Sequence, residues 1–299
     1  MQGTKTLDGV IVIDKPEGWT SHDVVNKVRH IVKTKKVGHL GTLDPIATGV
    51  LPLVIERATR LAQFYTRSDK IYEGVVRFGW STTTYDRAGE PTSYQREVAI
   101  DAEELERYLE KFRGEISQVP PAVSAKKVDG KRAYELARKN IAVELEPVNV
   151  KVYELTVLGI EGAEVKLRAH CSGGTYMRSI AHDLGLALGC GAHLQELRRM
   201  ASGEFEIDQA CSLEQLEKLA ADDRLVDAMV PAAKLLPGFP SVFVDDVTAR
   251  LVRNGRNFPA SPFRSQPATK YVKAVTRTGE LVAIGEAVLP NLYHPMVVL

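Results

Sequence analysis

In the stretch HLGTLDPIATGVLPL, from His39 to Leu53, a single carboxylate, Asp44, stands among glycines, threonines, prolines and aliphatic residues. A run so apolar folds against a core and takes its one acidic side chain with it. Removing a carboxylate from water is costly unless the charge is paired or put to use. Any fold for this chain must therefore give Asp44 a partner or a task. The same residues also read as a tight structural turn, with Asp-Pro and Gly-Thr as ordinary punctuation and Asp44 as a cap for a following helix.

The chain has 299 residues, 44% of them hydrophobic, enough for a large core and in length suited to one large domain plus a smaller one. Its start, MQGTKTLDGVIVIDKP, reaches only a few apolar residues before charge resumes, which meets neither the signal-peptide nor the membrane-span template. A cytoplasmic location is the resulting expectation. Cys171, Cys190 and Cys211 are odd in number and form no C-x-x-C pair, so they read as buried or half-buried thiols rather than as a disulfide framework or a zinc site.

A net charge of +1 is not the strongly basic balance of a non-specific nucleic-acid binder. The charges are unevenly placed, however. Residues 1–70 hold eleven Lys and Arg against seven acids, residues 125–139 six against two, and residues 241–299 seven against four. Acidic excess gathers in residues 71–124, with ten acids against six bases, and in residues 204–223, with seven acids against one lysine. A charge run is usually a solvated face, but separate basic regions can also form a track along a phosphate backbone.

Gly9 to Ile13 (GVIVI) reads as a strand, and Ser21 to Val32 as a helix with apolar spacing at Val24, Val25, Val28, Ile31 and Val32, capped by Thr20 or Ser21. Ile71 to Phe78 alternates like a strand, and Asp101 to Phe112 is an amphipathic helix with an acidic start. Val143 to Leu158 and Ala163 to Ala169 read as strands joined near Glu161 and Gly162, followed by a helix from Met177 to Leu188. This order lacks regular βαβ alternation and predicts an α+β domain with a mixed, mainly antiparallel sheet. Two prolines and a glycine in LLPGFPSV, Leu235 to Val242, mark a boundary, after which VFV, KYVKAVT and LVAIGEAVL read as strands of a small barrel.

Five further segments accompany the Asp44 stretch: DKPEGWTSHDVV from Asp14, YEGVVRFGWSTTTYDRAGE from Tyr72, VPPAVSAKKVDGKRAYELAR from Val119, CSGGTYMRSIAHDLG from Cys171 and HLQELRRMASGEF from His193. Together, and in this order, they resemble the TruB family of tRNA pseudouridine synthases. The resemblance implies a pseudouridine synthase catalytic domain over residues 1–238, with a thumb segment at about 119–150, and a PUA-like RNA-binding module over 239–299. It implies isomerisation of uridine at position 55 in the T-arm of tRNA, on a base flipped out of the folded RNA. The bond from ribose C1′ to uracil N1 breaks, the captive base turns, and C1′ bonds to C5. No electrons are gained or lost, so neither a redox cofactor nor a metal is expected, and the sequence has no glycine fingerprint or ligand cluster for one. The partner expected is the tRNA T-arm, with no membrane, no obligatory protein partner and a monomeric chain.

Residue by residue, the resemblance makes Asp44 the reacting carboxylate, with attack at C1′, attack at C6 and removal of a ribose proton all left open. Arg178 matches the arginine that pairs with it; a guanidinium there reverses the tendency of a buried carboxylate to bind a proton and fixes its orientation. Tyr72 is placed to stack on the target base, Tyr176 to line the pocket, and Leu197 to lie beside the base. His39 is assigned to stacking on opened T-loop nucleotides in preference to proton transfer. Asp86 matches an acidic position near the pocket. Lys126, Lys127, Lys131 and Arg132 match the thumb and read as RNA-binding, as does Lys15, which is placed either to touch phosphate or to support the active-site loop. His22, His170, His182 and His193 are taken as polar residues at element ends or interfaces. Val123, Leu40 and Met177 depart from the family pattern, and none of the three removes a charged group. Rival readings are a non-catalytic protein that remodels tRNA and an N-glycosidase that would release free uracil.

Overall fold

The computed structural model describes residues 7–122, 145–260 and 269–299, and the backbone alone of 127–128 and 131–132. Its strands are β1 (Gly9–Lys15), β2 (Val37–His39), β3 (Ala47–Ile55), β4 (Lys70–Phe78), β5 (Gly114–Gln118), β6 (Lys127–Val128), β7 (Lys131–Arg132), β8 (Val148–Glu161) and β9 (Glu164–Cys171). They continue with β10 (Ala192–Ser202), β11 (Phe205–Glu206), β12 (Met229–Pro231), β13 (Ser241–Val244), β14 (Phe258–Pro259), β15 (Tyr271–Thr276), β16 (Leu281–Leu289) and β17 (Leu292–Val298). The helices are α1 (Ser21–Ile31), α2 (Ala102–Leu109), α3 (Met177–Ala187), α4 (Leu213–Ala221) and α5 (Asp246–Arg253). None of the described helices is long and apolar enough to cross a membrane.

A large sheet runs in the order β12-β1-β3-β10-β4-β9-β8-β5, with β2 beside β3 and β11 beside β10. Within this sheet, among the described residues, β3 and β10 are the one strand pair that runs parallel, so the predicted α+β class and mainly antiparallel sheet hold. The central strands β1 and β3 are apolar on both faces because both are covered. Ile11, Ile13, Leu51 and Leu53 pack towards the helices, against Val24, Val28, Ile180 and Leu184. The alternate residues Val10, Val12, Val50 and Val54 pack on the opposite face.

α1 buries Val24, Val25 and Val28 and starts with a capping box in which the Thr20 side chain accepts from Asp23 N–H while Asp23 accepts from Thr20 N–H. Thr20 is therefore the cap, which frees Ser21 for another task. The helix expected over Asp101–Phe112 is α2, capped by Asp101, with Glu110–Phe112 tightened into a 3₁₀ turn. The strands expected from Val143 and Ala163 are β8 and β9; residues 143 and 144 lie outside the described residues.

Beyond Pro240 a second sheet, β13-β15-β16-β17-β14, curls into a half-barrel around Val252, Phe258, Val272 and Val282. The boundary expected near Leu235–Val242 is a change of sheet but not a break in the core. Val275, Leu281, Ile284 and Val297 share one apolar cluster with Val10, Val12, Val50 and Val54. Arg57 adds a polar tie, bonding Asp8 at 2.6 Å and Glu280 at 3.3 Å.

Candidate active site

Asp44 sits in the loop between β2 and β3, and the five carbonyls from Gly41 to Pro45 each have a donor. The Arg199 guanidinium donates to the carbonyls of Gly41 (3.1 Å), Thr42 (3.4 Å) and, past the loop, Val50 (2.7 Å). Ser21 Oγ donates to Leu43 O at 3.0 Å and accepts from Leu43 N–H at 2.8 Å. Ala47 N–H bonds the Asp44 carbonyl at 3.0 Å, and Gly18 N–H bonds the Pro45 carbonyl at 2.8 Å. The Lys15 ammonium reaches Pro16, Trp19 and Pro45 carbonyls at 2.9, 2.6 and 3.4 Å. Gly49 is obligatory where β3 meets β10: its φ is +97°, and a Cβ there would stand 2.3 Å from the Arg199 carbonyl.

The first turn of α3 brings the partner. Arg178 Nε lies 2.9 Å from Asp44 Oδ2, and its Nη1 lies 3.4 Å from Asp86 Oδ2 and 3.2 Å from the Thr84 carbonyl. Arg178 is buried between two carboxylates, one facing the cleft and one behind it. Asp86 is itself held, with Oδ1 accepting from the Thr84 hydroxyl at 2.6 Å and Ala88 N–H at 3.0 Å. α3 has no side-chain cap; instead the buried Gln118 amide grips the Tyr176 backbone, accepting from its N–H at 2.8 Å and donating to its carbonyl at 3.0 Å. Ser179 Oγ donates to Val119 O at 2.7 Å, so the root of the 119–150 segment is tied to the helix that carries Arg178.

These elements enclose an open cleft of about 250 Å³, on the scale of one nucleoside. Asp44, Arg178, Tyr72, Tyr176 and Leu197, all named from the sequence, line it. Met177, noted from sequence only as a departure from the family pattern, lines it too, as do Lys70, Thr66 and Arg199, which were not singled out. The signal for two of them was strand alternation: Lys70 precedes Tyr72 by two residues on β4, and Arg199 follows Leu197 by two on β10, so each shares its neighbour's face. Asp86 is reached only through Arg178. His39 stands at the end of β2, with Nδ1 accepting from Gly41 N–H at 3.4 Å, and is not among the residues lining the cleft.

Of the two tasks left open for Lys15, its surroundings favour support of the loop. It is fully buried, and its ammonium is used up on loop carbonyls, so it braces the Asp44 loop and does not offer a contact to phosphate. Lys126 lies outside the described residues, and for Lys127, Lys131 and Arg132 the structure gives the β6–β7 hairpin backbone only.

Burial dominates the electrostatics. Asp44 is pushed above the usual carboxylate range by desolvation; Arg178 and Lys15 pull it back, while Asp86 adds to the rise. The expected reversal by the guanidinium is thus incomplete, because Arg178 divides its charge between two acids. Desolvation lowers Lys15 to about 8 and also lowers Lys70, the latter helped by Arg199. Tyr72 is raised by burial, against a hydrogen bond from Arg199, so its phenol is neutral at ordinary pH.

The arrangement supplies an oriented carboxylate, a cation beside it, and an aromatic and an aliphatic wall for a flat ring. Comparison with known proteins bears on the family. Residues 29–177 match the model of the TruB family pseudouridylate synthase N-terminal domain, and residues 178–236 match that of the tRNA pseudouridylate synthase B C-terminal domain. The chain is 82% identical over 293 residues to tRNA pseudouridine synthase B of Solibacter usitatus, covering 98% of this chain and 100% of the relative. It is 41% identical over 287 residues to the protein of that name from Stutzerimonas stutzeri, covering 94% and 92%. Among solved structures, a Cbf5–Nop10–Gar1 complex matches with a TM-score of 0.71 and 31% identity, over 95% of this chain and 80% of that one. An H/ACA ribonucleoprotein bound to a substrate RNA containing 2′-deoxyuridine matches with a TM-score of 0.70 and 30% identity, over 95% and 79%. With the Asp44–Arg178 pair in its cleft and relatives of this similarity along nearly its whole length, the chain belongs to the TruB family of pseudouridine synthases.

Proposed function

We propose that the chain isomerises uridine to pseudouridine at position 55 in the T-arm of tRNA, with Asp44 as the reacting carboxylate. The observation that carries this reading is the Asp44–Arg178 ion pair, 2.9 Å long, at the wall of a cleft that Tyr72 and Leu197 also line. Binding alone would not need a carboxylate held in a desolvated pocket against its tendency to take up a proton. Each chemical route, through C1′, through C6 or through a ribose proton, requires Asp44 ionised, and Arg178 is the group that favours that state.

C1′ and C5 of a stacked uridine are shielded, so the nucleotide must leave its stack, at a cost of a few kcal/mol. The Tyr72 ring and the Leu197 side chain replace the lost stacking on the base, and Tyr176 closes the wall beside Arg178. His39, at the end of β2, stacks on nucleotides left behind in the opened loop. Lys126, Lys127, Lys131 and Arg132 in the thumb supply phosphate contacts, and residues 239–299 act as a PUA-like module that holds the RNA. Because the half-barrel shares a core with β1 and β3, it meets the RNA at a fixed distance from Asp44. The enzyme works as a monomer on cytoplasmic tRNA without an obligatory protein partner.

The test is release of tritium from C5 of labelled uridine in an unmodified tRNA transcript, comparing the native chain with Asp44→Asn. Release by the native chain alone, with no free uracil, is expected. Free uracil would identify a glycosidase instead, and tight tRNA binding without release would identify an RNA remodeller.

A further inference from the structure

Arg178 is steered by a turn whose shape is improbable on local grounds. Tyr85 lies between Thr84 and Asp86, the two residues that hold Arg178 Nη1, and has a φ of +63°. A bulky side chain rarely occupies that left-handed region. The turn is docked on β10, with Leu194 N–H donating to the Tyr85 carbonyl at 2.9 Å and Arg87 N–H donating to the Leu194 carbonyl at 3.0 Å. Its side chain has a second anchor. The Tyr85 ring lies parallel to the His182 imidazole, with centroids 3.7 Å apart and planes 8° from each other.

His182 follows Arg178 by four residues on α3, so the two project from one helix face. Nδ1 of His182 is buried and has no hydrogen-bond partner among the described residues. An imidazole placed there for its polarity would be bonded. What His182 offers is its flat face, and desolvation lowers its pKa, which keeps the ring neutral.

We propose that the Tyr85–His182 stack is a positioning device that registers the 84–86 turn against α3, so that Thr84 and Asp86 hold one end of the Arg178 guanidinium while its Nε faces Asp44. The two contacts between turn and helix, ring on ring and guanidinium on carboxylate, lie one helical turn apart and together fix the rotation of the turn. Without the stack the left-handed residue relaxes, Asp86 shifts, and Arg178 gains freedom to leave Asp44. His182 and Tyr85 touch no substrate; they act through Arg178.

This inference rests on Asp44 as the reacting carboxylate, and its test has one arm that does not depend on turnover. His182→Leu keeps volume and loses the flat ring; His182→Phe keeps the ring and loses the imidazole nitrogens. In single-turnover tritium release, His182→Leu and Tyr85→Leu are expected to be about tenfold slower, a loss of the kind small misplacements of reacting groups produce. Their tRNA Kd should stay within about twofold, and His182→Phe should run at the native rate. The double variant should be no slower than either single one, since both remove the same contact. By NMR, the Arg178 Nε proton should exchange faster with solvent in His182→Leu than in the native chain or His182→Phe. A native rate in His182→Leu, a His182→Phe as slow as His182→Leu, or additive losses would overturn the proposal. If Asp44→Asn retained turnover, the catalytic reading would fail while the proton-exchange comparison still decided whether the stack holds Arg178.

Discussion

Replacing Arg178 with methionine tests how Asp44 is kept ionised. The side chain stays unbranched and apolar along its stem and loses its charge, so Asp44 is left in its desolvated site beside Asp86 with no guanidinium. Opposite charges about 4 Å apart attract by about 4 kcal/mol at an effective dielectric of about 20. Asp44 is 35% exposed on its cleft side, so solvent screens part of this, and about half is a fair lower figure. At 1.4 kcal/mol per factor of ten, about 2 to 4 kcal/mol lowers the Asp44 acid dissociation constant by roughly 30-fold to 1,000-fold, and the ionised fraction by that much only on the acid side of its titration. Burial already raises the Asp44 pKa. The native rate is therefore lost as pH falls through a value above the usual carboxylate range, and removing Arg178 moves that acid limb to still higher pH. The assay is single-turnover tritium release against pH, with melting temperature followed in parallel because unpairing a buried charge also weakens the fold. Arg178→Met should be slowest at low pH and gain on the native enzyme as pH rises. A loss of equal size at every pH would refute the argument and leave Arg178 a purely geometric role.

Three other perturbations probe the frame around the pair. Lys15 has its pKa lowered from 10.5 to about 8, so the folded chain sheds this proton before the unfolded chain does, and the Lys15 contribution to stability should rise from about pH 8 to 10.5. The melting-temperature difference between the native chain and Lys15→Met should change across that window; a flat difference would count against burial as the cause. Gly49→Ala places a Cβ 2.3 Å from the Arg199 carbonyl at a φ of +97°, and should lower stability by at least about 3 kcal/mol in urea unfolding. Arg199→Met removes the donors on the Gly41, Thr42 and Val50 carbonyls, each unsatisfied group costing about 1–3 kcal/mol, and should lower kcat with little change in KM if the loop is what Arg199 holds.

What the sequence made legible was local or repeated; what it concealed was made by distant partners. β1 and α1 could be read because GVIVI and the valines of α1 carry their periodicities within a few residues, and Thr20–Asp23 closes its capping box within four. Asp44 and Arg178 were found through motif resemblance, not spacing, since 134 positions separate them. Loop support and phosphate contact both stayed open for Lys15 because nothing near DKPEG shows that Pro45 will fold back over it. The continuity of the core across the expected boundary was hidden for a similar reason. Proline and glycine in LLPGFPSV announce a loop, but they do not say whether the core on either side is continuous. That information lay elsewhere, in Val10, Val12, Val50 and Val54: strands apolar at consecutive positions need cover on both faces, and α1 and α3 supply only one. The second cover is built from the 3₁₀ segment Glu56–Tyr65, with Phe205 and Leu235, and from the half-barrel residues Val275, Leu281, Ile284 and Val297. Shared apolar surface, with the Arg57 pairs to Asp8 and Glu280, ties the half-barrel to the catalytic sheet.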